Sequence, residues 1–167
     1  MNMIVLILTI VVLLNFFLQS SILPYISILG VVPNTALLIV ISIALYKGRF
    51  YGGFVGLIIG AVQDIVFSPV IGVNAFIYFF AGYLVGLVEN KLTKENIFIP
   101  ILFSILGTIY YNFFYYVFMF FLSRNIPFLS FAKDILVTET IYNCVLSIPI
   151  YKIFSKNFCC ANNKVWQ

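Results

Sequence analysis

Residues 50–68 read Phe50-Tyr51-Gly52-Gly53-Phe54-Val55-Gly56-Leu57-Ile58-Ile59-Gly60-Ala61-Val62-Gln63-Asp64-Ile65-Val66-Phe67-Ser68. The run is apolar except for Gln63, Asp64 and the terminal Ser68, and Asp64 is its one charge. Gly52, Gly56, Gly60 and Asp64 recur at every fourth position. On an α-helix that spacing stacks all of them on one face. Three of these positions carry no side chain, so a second backbone can come close there. The last is a carboxylate at a depth where an unpaired charge is costly. The stretch therefore predicts a membrane-embedded helix with a packing seam and a polar anchor at one end.

The rest of the chain is of the same kind. Hydrophobic residues make up 63% of its 167 residues and charged residues only 8%. A soluble domain carries roughly 25% charged residues, so most of this surface is expected to face the lipid bilayer. The length suits about six spans of ~20 residues with short loops and leaves no room for a soluble domain. The net charge of +4 is scattered over loop positions without forming a basic stripe, which argues against a nucleic-acid partner. The expected class is an all-α integral membrane protein, a six-transmembrane-helix bundle.

Charges and breakers divide the chain. Nothing before Lys47 is charged, and the stretch from Pro24 to Pro33 splits those residues into spans near 3–22 and 33–46. Lys47 and Arg49 follow. Ser68-Pro69 and Gly72 separate spans near 50–67 and 72–88. Glu89 to Glu95 is the most hydrophilic connection. A long span over 97–123 begins near Pro100, where a proline is tolerated in a first turn. Arg124 to Asp134 reads as a loop, and a last span covers 135–154 with a bend at Pro149. The membrane domain is thus 1–157, followed by a short tail, 158–167.

Counting Lys and Arg by side sets the orientation. Lys47, Arg49, Lys91, Lys94, Lys152, Lys156 and Lys164 share one side, and Arg124 and Lys133 occupy the other. The positive-inside rule places the first group, and both termini, in the cytoplasm. The N-terminus has no basic n-region and no small-x-small cleavage site, so the first helix is expected to be retained rather than removed as a signal. Asn15 and Gln19 within it are i, i+4 neighbours facing protein, with snorkelling to the interface the alternative for Gln19.

Composition also bears on chemistry. There is no histidine, which removes histidine-based acid–base catalysis and histidine metal ligation. Cys144 reads as a small apolar core residue. The adjacent Cys159-Cys160 does not have the C-x-x-C spacing of a zinc site. No nucleophile–base pair, Walker loop or dinucleotide fingerprint is present. The expectation is no enzyme, no catalytic residue, no cofactor and no metal.

Polar residues inside the spans are the remaining candidates. Asp64 is about 22 Å along its helix from Arg49 at 1.5 Å per residue, and Glu139 lies near the outer end of the last span. The two acids are at comparable depth. Either they form a cation or proton site, or each is satisfied separately by Arg124, Lys133, helix N-terminal amides or a nearby tyrosine. The second reading is the one favoured. In the last span Glu139, Asn143, Ser147 and Tyr151 repeat every four residues, giving a polar face turned into the bundle. Asn112 and Asn74 are expected hydrogen-bond partners. Asn74, Tyr78, Gly82 and Gly86 share a face, giving the fourth helix its own close-packing site, and the third and fourth helices are expected to pack through their glycines. The run Tyr110 to Phe121 puts aromatic rings all round the fifth helix, so some must face lipid or another protein.

Several features in order resemble a known family. They are Val32-Pro33-Asn34 opening a span, Ala44-Leu45-Tyr46-Lys47-Gly48, then Gly52/Gly53, Gly56, Gly60 and Asp64, then Gly72, Ala75 and Gly82-Tyr83-Leu84-Val85-Gly86. This set resembles MreD, the rod-shape-determining membrane protein family of bacteria. The resemblance covers Pro33 to Gly86, and outside it only length and span count agree. It implies a non-enzymatic component of the inner (cytoplasmic) membrane in the cell-wall elongation machinery. Its implied partners are the bitopic MreC, the actin-like MreB, the glycosyltransferase RodA and a class B penicillin-binding transpeptidase. The family fold is similar to the substrate-binding S components of energy-coupling-factor vitamin transporters, and Gly52, Gly56, Gly60 and Asp64 would then be core structural positions. The family carries over no catalytic residue.

That likeness supplies the alternative, a vitamin-binding S component. Against it, the first helix is bulky over Leu6 to Leu14 where S components carry small docking residues, and the outer loops are short. An ion or proton carrier using Asp64 and Glu139 is a third class.

Overall fold

The structure is a computed structural model describing residues 3–27, 31–68, 70–89, 98–122 and 137–162; of residues 3–8, 26 and 156–162 it describes the backbone alone. It is all-helical, with α1 (Met3–Phe17), α2 (Thr35–Lys47), α3 (Arg49–Phe67), α4 (Val73–Gly86), α5 (Phe98–Phe121) and α6 (Val137–Asn162). Lys91, Lys94, Arg124, Lys133 and Lys164 lie outside the described residues, as do the side chains of Lys156, Cys159 and Cys160.

Two helix ends differ from the sequence expectation. The first helix gives way at Phe17 to a π-helical turn, Leu18–Ile22, and then a 3-10 turn, Leu23–Ile26, with Pro24 in its first positions. The last helix runs on to Asn162 instead of ending near 154. Pro149 removes one backbone donor, but Tyr151 and Phe154 beyond it are buried in the core. Their packing carries the helix past the proline.

α2 is the centre of the bundle. Every residue from Thr35 to Leu45 is buried, and the helix touches α3, α4, α5 and α6. Consecutive helices run in alternating directions around it. Thr35, at the start of α2, meets Asn15 near the end of α1. Tyr46, at the end of α2, packs on Tyr151 late in α6 at 4.9 Å between ring centroids. One end of the bundle therefore holds Lys47, Arg49 and Lys152. The opposite end holds Asn34, Asp64 and Glu139.

A single residue, Gly48, links α2 to α3. Its φ of +84° lies in the left-handed region, which a residue with a β-carbon rarely adopts. The chain reverses there within one position, so α2 and α3 are neighbours from their first turn.

The pairing of α3 with α4 is the tightest in the fold. Gly52 lies against Gly82, Gly56 against the backbone of Tyr78 and Phe79, and Gly60 against Asn74 and Ala75. Gly86 meets Gly48 and Arg49. Each four-residue step along α3 matches a four-residue step back along α4. The glycines of α4 are the other half of the α3 seam. A β-carbon at Gly60 would lie 2.5 Å from Ala75 Cα, and one at Gly52 would lie 2.8 Å from the Gly82 carbonyl oxygen. Backbone atoms cannot step aside as a flexible side chain does.

Gly56→Ala is therefore expected to destabilise the folded protein by at least ~2 kcal/mol, the scale of forced overpacking, read as a lower thermal midpoint in detergent. Gly53, whose added β-carbon would meet the Phe79 ring edge at 3.3 Å, provides the control. Gly53→Ala should leave the midpoint nearly unchanged.

Candidate functional site

Asp64 is fully buried, and its partners come from the start of α4. Oδ2 accepts the backbone N–H of Gly72 at 2.9 Å and of Ala75 at 3.0 Å. Oδ1 accepts the backbone N–H of Asn74 at 3.1 Å and its side-chain Nδ2 at 2.9 Å. The first N–H groups of a helix have no partner within it. Here a carboxylate from the preceding helix supplies one, and the helix macrodipole favours the negative charge. The charge-assisted bonds contribute roughly 1.5–3 kcal/mol each, enough to offset the about 2.5–3.5 kcal/mol cost of placing a carboxylate at bilayer depth. Gly72 makes the geometry possible, since its φ of +101° turns the chain into α4.

From Asp64 the polar contacts continue across the bundle. Asn74 Oδ1 accepts the Tyr111 hydroxyl at 2.8 Å. The Tyr111 ring stacks on Tyr78 at 5.4 Å, and the Tyr78 hydroxyl donates to Asn34 Oδ1 at 2.8 Å. That same oxygen caps α2 by accepting the Leu37 N–H at 3.1 Å. The Asn34 N–H donates to Asn143 Oδ1, and Asn143 Nδ2 donates to Thr108 Oγ1, both at 3.0 Å. Next door, the Thr35 hydroxyl donates to Asn15 Oδ1 at 2.8 Å. Side chains or caps from all the helices take part.

Glu139 is held apart from Asp64. Asn112 Nδ2 donates to its Oε2 at 2.9 Å and to the Thr108 carbonyl at 3.0 Å. The two acids thus share no direct hydrogen-bond partner. Asn143, Ser147 and Tyr151 are buried along with Glu139. Ser147 differs in direction, since its hydroxyl donates back to the Cys144 carbonyl of its own helix at 2.7 Å. Ser104 Oγ approaches Cys144 Sγ at 3.8 Å while donating to the Ile101 carbonyl.

Three polar residues central to this end escape a reading by periodicity. Asn34 is the hub of the network, yet in sequence it only opens a span. Its signal is that of an N-cap, a short polar residue directly before an apolar helical run. Thr35 and Gln63 have no such signal.

Between these groups lies a cavity of about 380 Å³. Gln19 closes it from the continuation of α1, Val31 to Asn34 from the segment before α2, and Gln63 from α3. Tyr111, Asn112 and Tyr115 of α5 and Glu139 of α6 complete the wall. Among the described residues no three His, Cys, Asp or Glu side chains come together as a metal site.

Polar side chains gather inside, and large apolar ones such as Phe50, Phe54, Ile65, Phe113, Phe120 and Phe121 lie outside. Among the described residues two helices, Arg49–Phe67 and Phe98–Phe121, are long and apolar enough to cross a membrane. This distribution defines a helical membrane protein, turned inside out relative to a soluble bundle. The chain belongs to the family of the rod shape-determining protein MreD, whose family model matches residues 1–157. That family consists of bacterial membrane proteins, and membership implies a role in rod-shape determination. No curated protein and no solved structure matches the chain.

Asp64→Asn should be poorly tolerated although it preserves size. An amide group would turn donors toward the N–H groups of Gly72 and Ala75 or of Asn74, leaving buried donors unpaired at about 1–3 kcal/mol. The expected result is a lower thermal midpoint and faster hydrogen exchange over the first turn of α4. Asn34→Ala removes a helix cap and the acceptor of the Tyr78 hydroxyl together, and should cost at least ~2 kcal/mol by the same measurement.

Proposed function

We propose that this protein is a non-enzymatic membrane scaffold of the cell-wall elongation machinery, holding partner proteins in place to set rod shape. The observation that supports this most directly is how its buried polar groups are used. Asp64, Asn34, Asn74, Tyr78, Tyr111 and Asn143 bind one another across helix boundaries, and direct backbone packing joins α3 to α4. Such a bundle holds its outer faces at fixed positions relative to one another, as an assembly platform requires.

The partners proposed are MreC first, then MreB, RodA and a class B penicillin-binding transpeptidase. The chain would sit in the bacterial cytoplasmic membrane as a multi-pass protein of six spans with both termini inside. The alternating helix directions support this, because they bring Lys47, Arg49 and Lys152 to one end of the bundle. That end would meet anionic lipid and the filament side, and the Asn34 end the extracytoplasmic partner. Gly52, Gly56, Gly60, Gly82 and Gly86 serve as the helix-packing residues, and Asp64, Asn112, Glu139, Asn143 and Ser147 as the buried polar ones.

Purification of the tagged full-length protein from its own membranes tests the scaffold role. MreC and a penicillin-binding transpeptidase should be recovered with it, and Gly60→Leu should reduce that recovery. Recovery of an ATPase pair with a membrane coupling subunit would instead assign it to the vitamin-transporter S components, whose fold the resemblance also suggests.

A further inference from the structure

We propose that the cavity at the Asn34 end of the bundle is a binding site for a small organic cation, one that presents a primary ammonium group. The inference goes beyond the scaffold role and does not depend on it. Its starting point is the one charged side chain among the described residues of the cavity wall. Glu139 is 5% exposed, and its hydrogen-bond donors are the neutral amides of Asn112 and Asn143. Among the described residues no Lys or Arg lines the cavity. The N-terminus of α6 supplies only a partial positive charge, about half an elementary unit, so the described wall holds no full positive charge to pair with the carboxylate.

Two further observations point the same way. Gln63 Oε1 is buried with no hydrogen-bond partner, and Gln63 lines the same cavity. An unpaired buried acceptor calls for a donor. Tyr115 also lines it and brings a phenol oxygen able to accept a hydrogen bond. A carboxylate, an orphan amide oxygen and a phenol oxygen together suit an ammonium group, which has three donors and no acceptor.

Size and ligand count separate an organic cation from a metal ion. The volume of about 380 Å³ falls at the low end of small-molecule pockets, ~300–1,000 Å³. A bare divalent ion requires more hard oxygen ligands than one carboxylate and side-chain amides provide. An amine with a short polar tail fits, whether free in solution or as the head group of an aminophospholipid.

The test uses the full-length protein in detergent and in nanodiscs. Ethanolamine should raise the thermal midpoint in a saturable manner, and ethylene glycol and acetate, which lack the ammonium, should not. Glu139→Gln keeps an acceptor for Asn112 but removes the charge, and should weaken ethanolamine binding roughly tenfold or more, as expected for loss of a charge-assisted hydrogen bond. Gln63→Leu removes the orphan acceptor and should also weaken binding without lowering the midpoint of the unliganded protein. It carries the test if Glu139→Gln does not fold. Native mass spectrometry from nanodiscs of mixed phosphatidylethanolamine and phosphatidylglycerol identifies the source. Selective retention of phosphatidylethanolamine by the wild type, lost in the variants, assigns a lipid head group. Ethanolamine binding without such retention assigns a free amine. An equal response to ethanolamine and ethylene glycol, no response to either with no selective lipid retention, or undiminished amine binding in the folded variants would overturn the proposal.

Discussion

Inside a bilayer no water is present to satisfy a polar group, so every buried donor and acceptor must find its partner in the protein. In this chain the constraint is met most compactly where Asp64 takes the free N–H groups at the start of α4. The carboxylate and the helix end are each costly alone in hydrocarbon, and each removes the other's cost. The contact also fixes the register of α3 against α4. Once Asp64 meets Gly72 to Ala75, the glycines below it fall opposite their partners in turn, down to Gly86 against Gly48. Dispersion between closely approaching backbones then holds the pair, without help from a hydrophobic effect that lipid does not provide.

From that pair the order spreads to the rest of the bundle. Asn74 bonds Asp64 on one side and Tyr111 of α5 on the other. Tyr78 reaches from α4 to the cap of α2. Asn34 is the meeting point, since it caps α2, accepts from α4 and donates to α6. The polar groups are few, but each joins separate helices. That suits a role in cell shape better than a lone reactive group would, because a platform depends on the relative positions of its faces.

Much of this could be read in the sequence where a residue type leaves a periodic mark. Glycine at every fourth position has one physical meaning in a membrane helix, and the α3 face shows it from Gly52 to Gly60. The polar stripe of α6 is legible for the same reason. The central place of α2 is not. In a soluble protein an all-apolar helix would be recognised as buried, but in lipid an outward-facing helix is equally apolar, so Thr35–Lys47 looks like any other span. The glycine faces of α3 and α4 point to each other as partners, but spacing within one helix carries no information about which residue lies opposite which. The cavity was invisible for a further reason. Its wall is drawn from segments near residues 19, 33, 63, 112 and 139, and only the fold brings them together.

The length of α2 has a consequence of its own. At 13 residues it is about 20 Å long, against an apolar slab of about 30 Å. A helix so short would ordinarily force the surrounding lipid to thin. α2 escapes that demand because its neighbours shield it from lipid. The mismatch is displaced inward: α5, with 24 residues, stands about 16 Å taller than the helix at its centre. The missing height is a well, floored by Pro33 and Asn34, within the thickness of the membrane. Its depth is set by where one buried helix begins, so the protein carries a polar recess as a by-product of how its core is cut.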